Sequence, residues 1–189
     1  MAAIDHRWGR LDILVNNAGI VSAGRLKGVT DDELRLTIET NLLAPIALVR
    51  QALPLLQCAK RARIVNIGSL FGDIPYPLFT VYSATKSGLH GFSIALRREL
   101  ARMEIGVTYA APRATRTASS HALGALIEPF RMKLDAPEAV ARFIWRGVAR
   151  EMDNIYPPGP ERIFVLLQRL LPQLVDRSIA RQLARVSPS

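Results

Sequence analysis

The sequence predicts an α/β fold, a doubly wound parallel sheet covered by helices. Three observations predict it. Short runs of mostly apolar residues, Asp12-Ile-Leu-Val-Asn16, Arg63-Ile-Val-Asn-Ile67 and Ile105-Gly-Val-Thr-Tyr-Ala-Ala111, read as strands buried on both faces. Long segments of helical period separate them, and strands alternating with helices at this spacing require right-handed crossovers. The chain has 189 residues, 49% of them hydrophobic and 22% charged, which suits one domain and argues against disorder or a fibrous repeat.

The first strand centres on Ile13. The helix after it starts at Thr30, whose hydroxyl can cap the helix while Glu33 reaches back to complete a capping box. Asp31 and Asp32 add favourable charge at the positive end of the dipole. This helix is expected from Asp31 to Gln57. Pro45 lies inside it and has no N–H to give the Asn41 carbonyl, so the helix should bend there and leave that carbonyl free. After the Arg63–Ile67 strand comes a helix over Val81–Arg102, then the strand at Ile105–Ala111. The stretch from Arg113 to Leu134 is turn-rich and reads as a loop with a short helix. A helix is expected over Pro137–Met152, capped near Asp135 or Ala136, followed by an abbreviated last strand around Asn154–Tyr156. The final segment, Glu161–Val186, is amphipathic, with apolar residues at Ile163, Leu166, Leu167, Leu170, Leu174 and Val175 among arginines, and is interrupted at Pro172.

Charge and cysteine narrow the function. The 25 Lys and Arg against 16 Asp and Glu leave a formal +9, but only four residues are lysine and no basic run of five occurs, so nucleic acid is not expected as a partner. Cys58 is the lone cysteine and the three histidines are far apart, which excludes an internal disulfide and gives no zinc pattern. No apolar run approaches the roughly 18 residues of a membrane span, and the N-terminus has no secretory apolar region, so a cytoplasmic protein is expected. For the C-terminal segment, packing over a cleft or against a partner subunit is preferred to a helix lying on a membrane surface.

Several residues can carry chemistry. Tyr82 and Lys86 stand one helical turn apart. A phenol titrates near 10, and an adjacent ammonium favours the phenolate, which would make the pair a usable proton donor and acceptor. Taken alone, the spacing equally suits a surface tyrosine and a solvated lysine. Ser69 follows the Ile64–Ile67 strand at its C-terminal end, where open α/β sheets bind ligands. Gly68-Ser-Leu-Phe-Gly72 is not a hydrolase nucleophile elbow. Asn16-Asn-Ala-Gly19 ends the first strand with small residues, where backbone could approach a flat or phosphorylated ligand or simply turn.

In order, Asn16-Asn-Ala-Gly19 after a strand, Asn41 in the next helix, Ser69 after the next strand, Tyr82-x-x-x-Lys86 opening a helix, and Pro112 after a further strand resemble the short-chain dehydrogenase/reductase (SDR) family over roughly Leu11–Thr117. The resemblance implies a Rossmann-like fold and an NAD(P)-dependent oxidoreductase acting on a small-molecule alcohol or carbonyl substrate. It implies catalytic roles for Asn41, Ser69, Tyr82 and Lys86: Tyr82 as acid/base, Lys86 lowering its pKa and bonding the nicotinamide ribose, Ser69 positioning the reacting oxygen, and Asn41 anchoring a water. Asn16, Ala18, Gly19, Tyr82, Lys86, Pro112 and Thr115 would contact the cofactor.

The sequence departs from the family pattern at Arg113, where a glycine is usual, in its short last strand, and in having no glycine-rich cofactor fingerprint. The chain is therefore expected to be a single N-terminally truncated domain, the Ile13 strand being the fourth of the family sheet and the first three missing. The Ile13 strand would then present a long unpaired apolar edge, and the domain is expected to form a homo-oligomer. NAD or NADP is expected as cofactor, NADP slightly preferred, with weak binding. The alternative is a non-catalytic fragment that binds or oligomerises.

Overall fold

The computed structural model describes residues 1–116, 124–128, 130 and 132–184. Its sheet has four parallel strands in the order β1 (Ile13–Asn16), β2 (Arg63–Ile67), β3 (Gly106–Ala110) and β4 (Asn154–Ile155). Ile13 pairs with Arg63 and Asn16 with Asn66, while Arg63 pairs with Gly106 and Ile67 with Ala110, so the C-terminal ends of β1, β2 and β3 lie level. Parallel order and the short last strand agree with the sequence.

Helices cover both faces, unequally. On one face α3 (Ala44–Gln57) and α5 (Thr80–Leu100) pack Val49, Ala52, Leu56, Leu96 and Leu100 against Ile64 and Val107. On the other, α7 (Pro137–Ala149) brings Val148, Phe143 and Ile144 onto Val65, Ala110 and Ile155. Gly147 lets this helix lie close, because a β-carbon there would stand 2.4 Å from the Ile155 side chain. Beyond the reach of α7, Ile13 and Val15 of β1 are exposed while Leu14 packs on the α3 side. The exposed edge expected of this strand is present, but it is four residues rather than long.

The predicted Asp31–Gln57 helix is three pieces. Its start is as expected: Thr30 accepts from the Glu33 N–H and Glu33 accepts from the Thr30 N–H, a complete capping box at the head of α2 (Asp31–Ile38). A π turn, Glu39–Leu43, follows, closed by the Ala44 N–H reaching back to the Glu39 carbonyl, and α3 resumes with Pro45 in its first turn. Proline's missing N–H is harmless in a first turn, so the break is accommodated by the wider turn just before it.

The sequence did not signal α1 (Ala2–Trp8), a short exposed helix that buries no residue. A four-residue helix, α4 (Leu70–Asp73), follows β2, and α6 (Gly124–Ile127) is the short helix expected between Arg113 and Leu134; residues 117–123, 129 and 131 of that stretch are outside the described residues. The helix of Pro137 ends at Ala149, three residues before its expected end, and begins without a side-chain cap. The C-terminal segment breaks at Pro172 as expected into α8 (Glu161–Leu170) and α9 (Pro172–Leu183); Arg185 and Val186 are outside the described residues. Among the described residues no helix is long and apolar enough to cross a membrane.

Candidate active site

A cleft of about 600 Å³ opens at the C-terminal ends of the strands. The chain turns from strand to loop after each of β1, β2 and β3, so the segments at Asn17–Gly19, Gly68–Phe71 and Pro112–Thr115 converge on it. Ala18, Gly19, Ser69, Tyr82, Lys86, Pro112 and Thr115 all line this cleft, seven of the nine residues singled out in the sequence.

Ser69 is held in place by the residue beneath it. Tyr109, fully buried on β3, donates its hydroxyl to the Ser69 carbonyl at 3.2 Å, and His90 stacks on the same ring with centroids 4.3 Å apart. The two glycines around Ser69 exist for this contact. A β-carbon on Gly68 would fall 2.2 Å from the Tyr109 ring, and one on Gly72 would fall 2.7 Å from its hydroxyl oxygen. Ser69 then caps α4, accepting from the Phe71 N–H at 3.2 Å. Tyr109 carries no signal of this role in the sequence beyond its place in an apolar strand.

Tyr82 and Lys86 project from the first turns of α5. Burial pushes the Tyr82 phenol above its ordinary value, and a side-chain hydrogen bond with Ser69 pulls it down. Burial also brings the Lys86 ammonium down to about 8. The expectation that Lys86 would depress the phenol is therefore corrected. Lys86 Nζ donates to the Ile67 carbonyl at 2.9 Å and stands 5.7 Å from the Tyr82 ring centre, and desolvation dominates both groups.

Asn41 does not line the cleft; it forms the layer behind it. Fully buried in the π turn, it accepts from the Ile20 N–H and donates to the Ile20 carbonyl, both at 2.8 Å, and donates to Thr85 at 3.3 Å. It thereby holds the loop after β1. Gly19 is the thin wall between: a β-carbon there would lie 3.2 Å from Asn41 Oδ1 and 3.4 Å from Lys86 Nζ. Asn16 also stands apart from the cleft. It is buried within the sheet and donates to Asn66 Oδ1 at 2.8 Å, and Asn66 donates in turn to Ser93 at 2.9 Å. Its neighbour Asn17 lines the cleft instead.

Three further groups escaped the sequence reading. Arg113 turns its guanidinium to Glu161 at the head of α8 and to Asp135 at 3.2 Å, so the residue that replaces a usual glycine ties the C-terminal helix to the cleft. This pairing holds the Glu161 carboxyl below its ordinary range. Tyr76, Phe71 and Phe130 make an aromatic wall, with Tyr76 bonded through its hydroxyl to Gln182 of α9. Behind α4 lies Asp73, which accepts from Tyr156 at 2.9 Å and faces His90 at 3.3 Å and Arg169 at 3.4 Å; burial raises its pKa while these neighbours oppose the rise.

The sequence model of the family described as short chain dehydrogenase matches residues 1–126. Estradiol 17-beta-dehydrogenase 11 of Macaca fascicularis is 31% identical over 172 residues, covering 87% of this chain and 55% of the relative. Dehydrogenase/reductase SDR family protein 7-like of Anopheles gambiae is 34% identical over 88% of this chain and 55% of its own length. A short-chain dehydrogenase from Streptomyces avermitilis aligns over 100% of this chain and 75% of its own, with 26% identity and a TM-score of 0.76. A Burkholderia phymatum enzyme solved with NAD shares the fold at a TM-score of 0.81 and 21% identity, over 92% of this chain and 70% of its own. The chain spans about half the length of such curated relatives.

Proposed function

Because this chain belongs to the short-chain dehydrogenase/reductase family, we propose that it serves as an NAD(P)-dependent oxidoreductase, interconverting an alcohol and a carbonyl compound at Ser69 and Tyr82. The observation that carries the reading is the convergence of Ser69, Tyr82 and Lys86 on one cleft, where Ser69 opposes the rise that burial gives the Tyr82 phenol.

The residues present fit the nicotinamide end of such a cofactor. A β-carbon on Gly19 would crowd Asn41 Oδ1 at 3.2 Å and reach Lys86 Nζ at 3.4 Å, so bare backbone there suits a close ligand, and Lys86, Ala18, Gly19, Pro112 and Thr115 would hold that end. When bound, the nicotinamide supplies or accepts the hydride. The protein's own part is proton transfer and positioning. Ser69 Oγ holds the substrate oxygen, and Tyr82 Oη gives that oxygen a proton during reduction or takes one during oxidation. Lys86, its ammonium brought down to about 8 by burial, stays mostly charged at neutral pH but gives up a proton towards Tyr82 more readily than a solvated lysine. Asn41 acts by fixing the loop that carries Gly19.

Of the two nicotinamide cofactors, NADP, which the +9 charge favours slightly, binds better than NAD in this reading. Oxidation of NADPH followed with a panel of ketones tests the assignment. Tyr82→Phe should lower turnover by about 10²–10⁴-fold, the contribution of a positioned acid. Turnover that persists in this variant would sink the assignment.

A further inference from the structure

Beyond Ser69 and Tyr82, one side of the cleft is apolar. From Tyr82 a series of rings runs outward: Phe71 meets Tyr82 edge-on with centroids 6.5 Å apart, Tyr76 stacks on Phe71 at 5.0 Å, and Phe130 meets Tyr76 edge-on at 5.1 Å. Phe79, Leu70, Val21 and Met132 complete this apolar lining. Tyr76 adds only its ring to the wall, because its hydroxyl is bonded to Gln182.

Arg113, the cleft's arginine, is already paired with Glu161 and Asp135, and Lys86 donates to the Ile67 carbonyl. Lys133, the other cation among the described lining residues, is exposed and acts on Glu161. A carboxylate or phosphate held against the rings would lose its hydration without a cation bonded there among the described residues, a cost of several kcal/mol. An uncharged apolar body would gain by covering the rings.

Resting on the proposed reading of Ser69 and Tyr82, we infer that the substrate is an uncharged alcohol or ketone with a bulky apolar body, its oxygen at Ser69 and Tyr82 and its body against Phe71, Tyr76 and Phe130. Short hydroxy acids, keto acids and sugar phosphates are excluded by the same wall. The specificity-determining residues are Phe71, Tyr76 and Phe130.

The test separates binding from catalysis. Saturation-transfer NMR on the full chain would use α-tetralone, an uncharged bicyclic ketone, against acetoacetate, a small charged one. Tetralone should bind at least about tenfold more tightly than acetoacetate, as one lost apolar contact of this size predicts. Phe130→Asp should weaken tetralone by about tenfold or more, and Met132→Lys, at a half-buried and more tolerant position, should do the same if the first variant does not fold. Tyr82→Phe should remove turnover while weakening tetralone by no more than about tenfold, the worth of one hydrogen bond. Acetoacetate binding as well as tetralone, or tetralone binding indifferent to both wall variants, would overturn the inference. Tetralone that binds through the wall in a chain with no turnover would support it and overturn the catalytic reading alone.

Discussion

Lys86 holds its ammonium where water scarcely reaches, and its pKa falls from 10.5 to about 8 in consequence. Between those two values the unfolded chain keeps a proton that the folded chain has released, so folding stability rises with pH across the window from about 8 to 10.5. Below it the folded protein bears a penalty of about 3 kcal/mol at 1.36 kcal/mol per unit. Lys86→Met removes the charge but also the bond to the Ile67 carbonyl, itself on the order of 1 kcal/mol. The variant should thus be more stable than the parent at pH 7 by about 2 kcal/mol. Urea unfolding at pH 7 and pH 10 checks this: the difference should shrink at the higher pH, and a variant less stable at both would show that desolvation of Lys86 has been overrated. Gly68→Ala belongs to the same scale. Its β-carbon would enter the Tyr109 ring, which cannot yield with His90 stacked on it, so a loss of about 2–3 kcal/mol is expected in thermal or urea unfolding. The sequence showed that a serine stood at a strand end; why glycines flank it became visible only with Tyr109, a contact made across 40 residues.

At the scale of elements, local signals were the legible ones. Thr30 and Glu33 announce a helix start because the two groups that satisfy each other are three residues apart. Thr30→Ala should lower stability by about 1 kcal/mol, with faster amide exchange confined to the first turn of α2; exchange unchanged in that turn would mean the cap is idle. Pro45 correctly marked an interruption, but the chain answers it one turn earlier than a simple kink would, by widening at Glu39–Leu43. That wider turn places Asn41 against Ile20. Pro45 alone does not tell a π turn from a bend, since both spare the hydrogen bond that the proline cannot donate. The exposed α1 was illegible because it buries nothing and so has no apolar stripe to read. Arg113 shows the opposite limit. Its partners lie 22 and 48 residues away, and only the fold brings them together. Arg113→Ala would leave Glu161 and Asp135 without their shared cation and release α8 from the cleft. Melting should fall by about 1–3 kcal/mol in stability, and the Glu161 carboxyl should titrate closer to its ordinary value by NMR.

For the molecule as a whole, the fold class followed from the alternation of short apolar strands with helices, because each crossover must be right-handed, while the place of the Ile13 strand at one end of the sheet came from the family resemblance. The unequal cover of the two faces did not follow, since it depends on α7 reaching β4, β3 and β2 but not β1. One consequence concerns symmetry. The outer side of β1 pairs with no strand among the described residues, and a second copy meeting that edge about a two-fold axis normal to the sheet would run the two β1 strands antiparallel and join two four-stranded sheets into one. The opposite edge, β4, is two residues and too short to template another strand. Association by this route would close upon itself at two copies instead of growing into a fibre. Sedimentation should then show monomer and dimer exchanging with concentration, and Val15→Lys, a charge on the exposed face of that edge, should shift the balance to monomer; a ladder of larger species would mean that the two ends of the sheet are not so unlike.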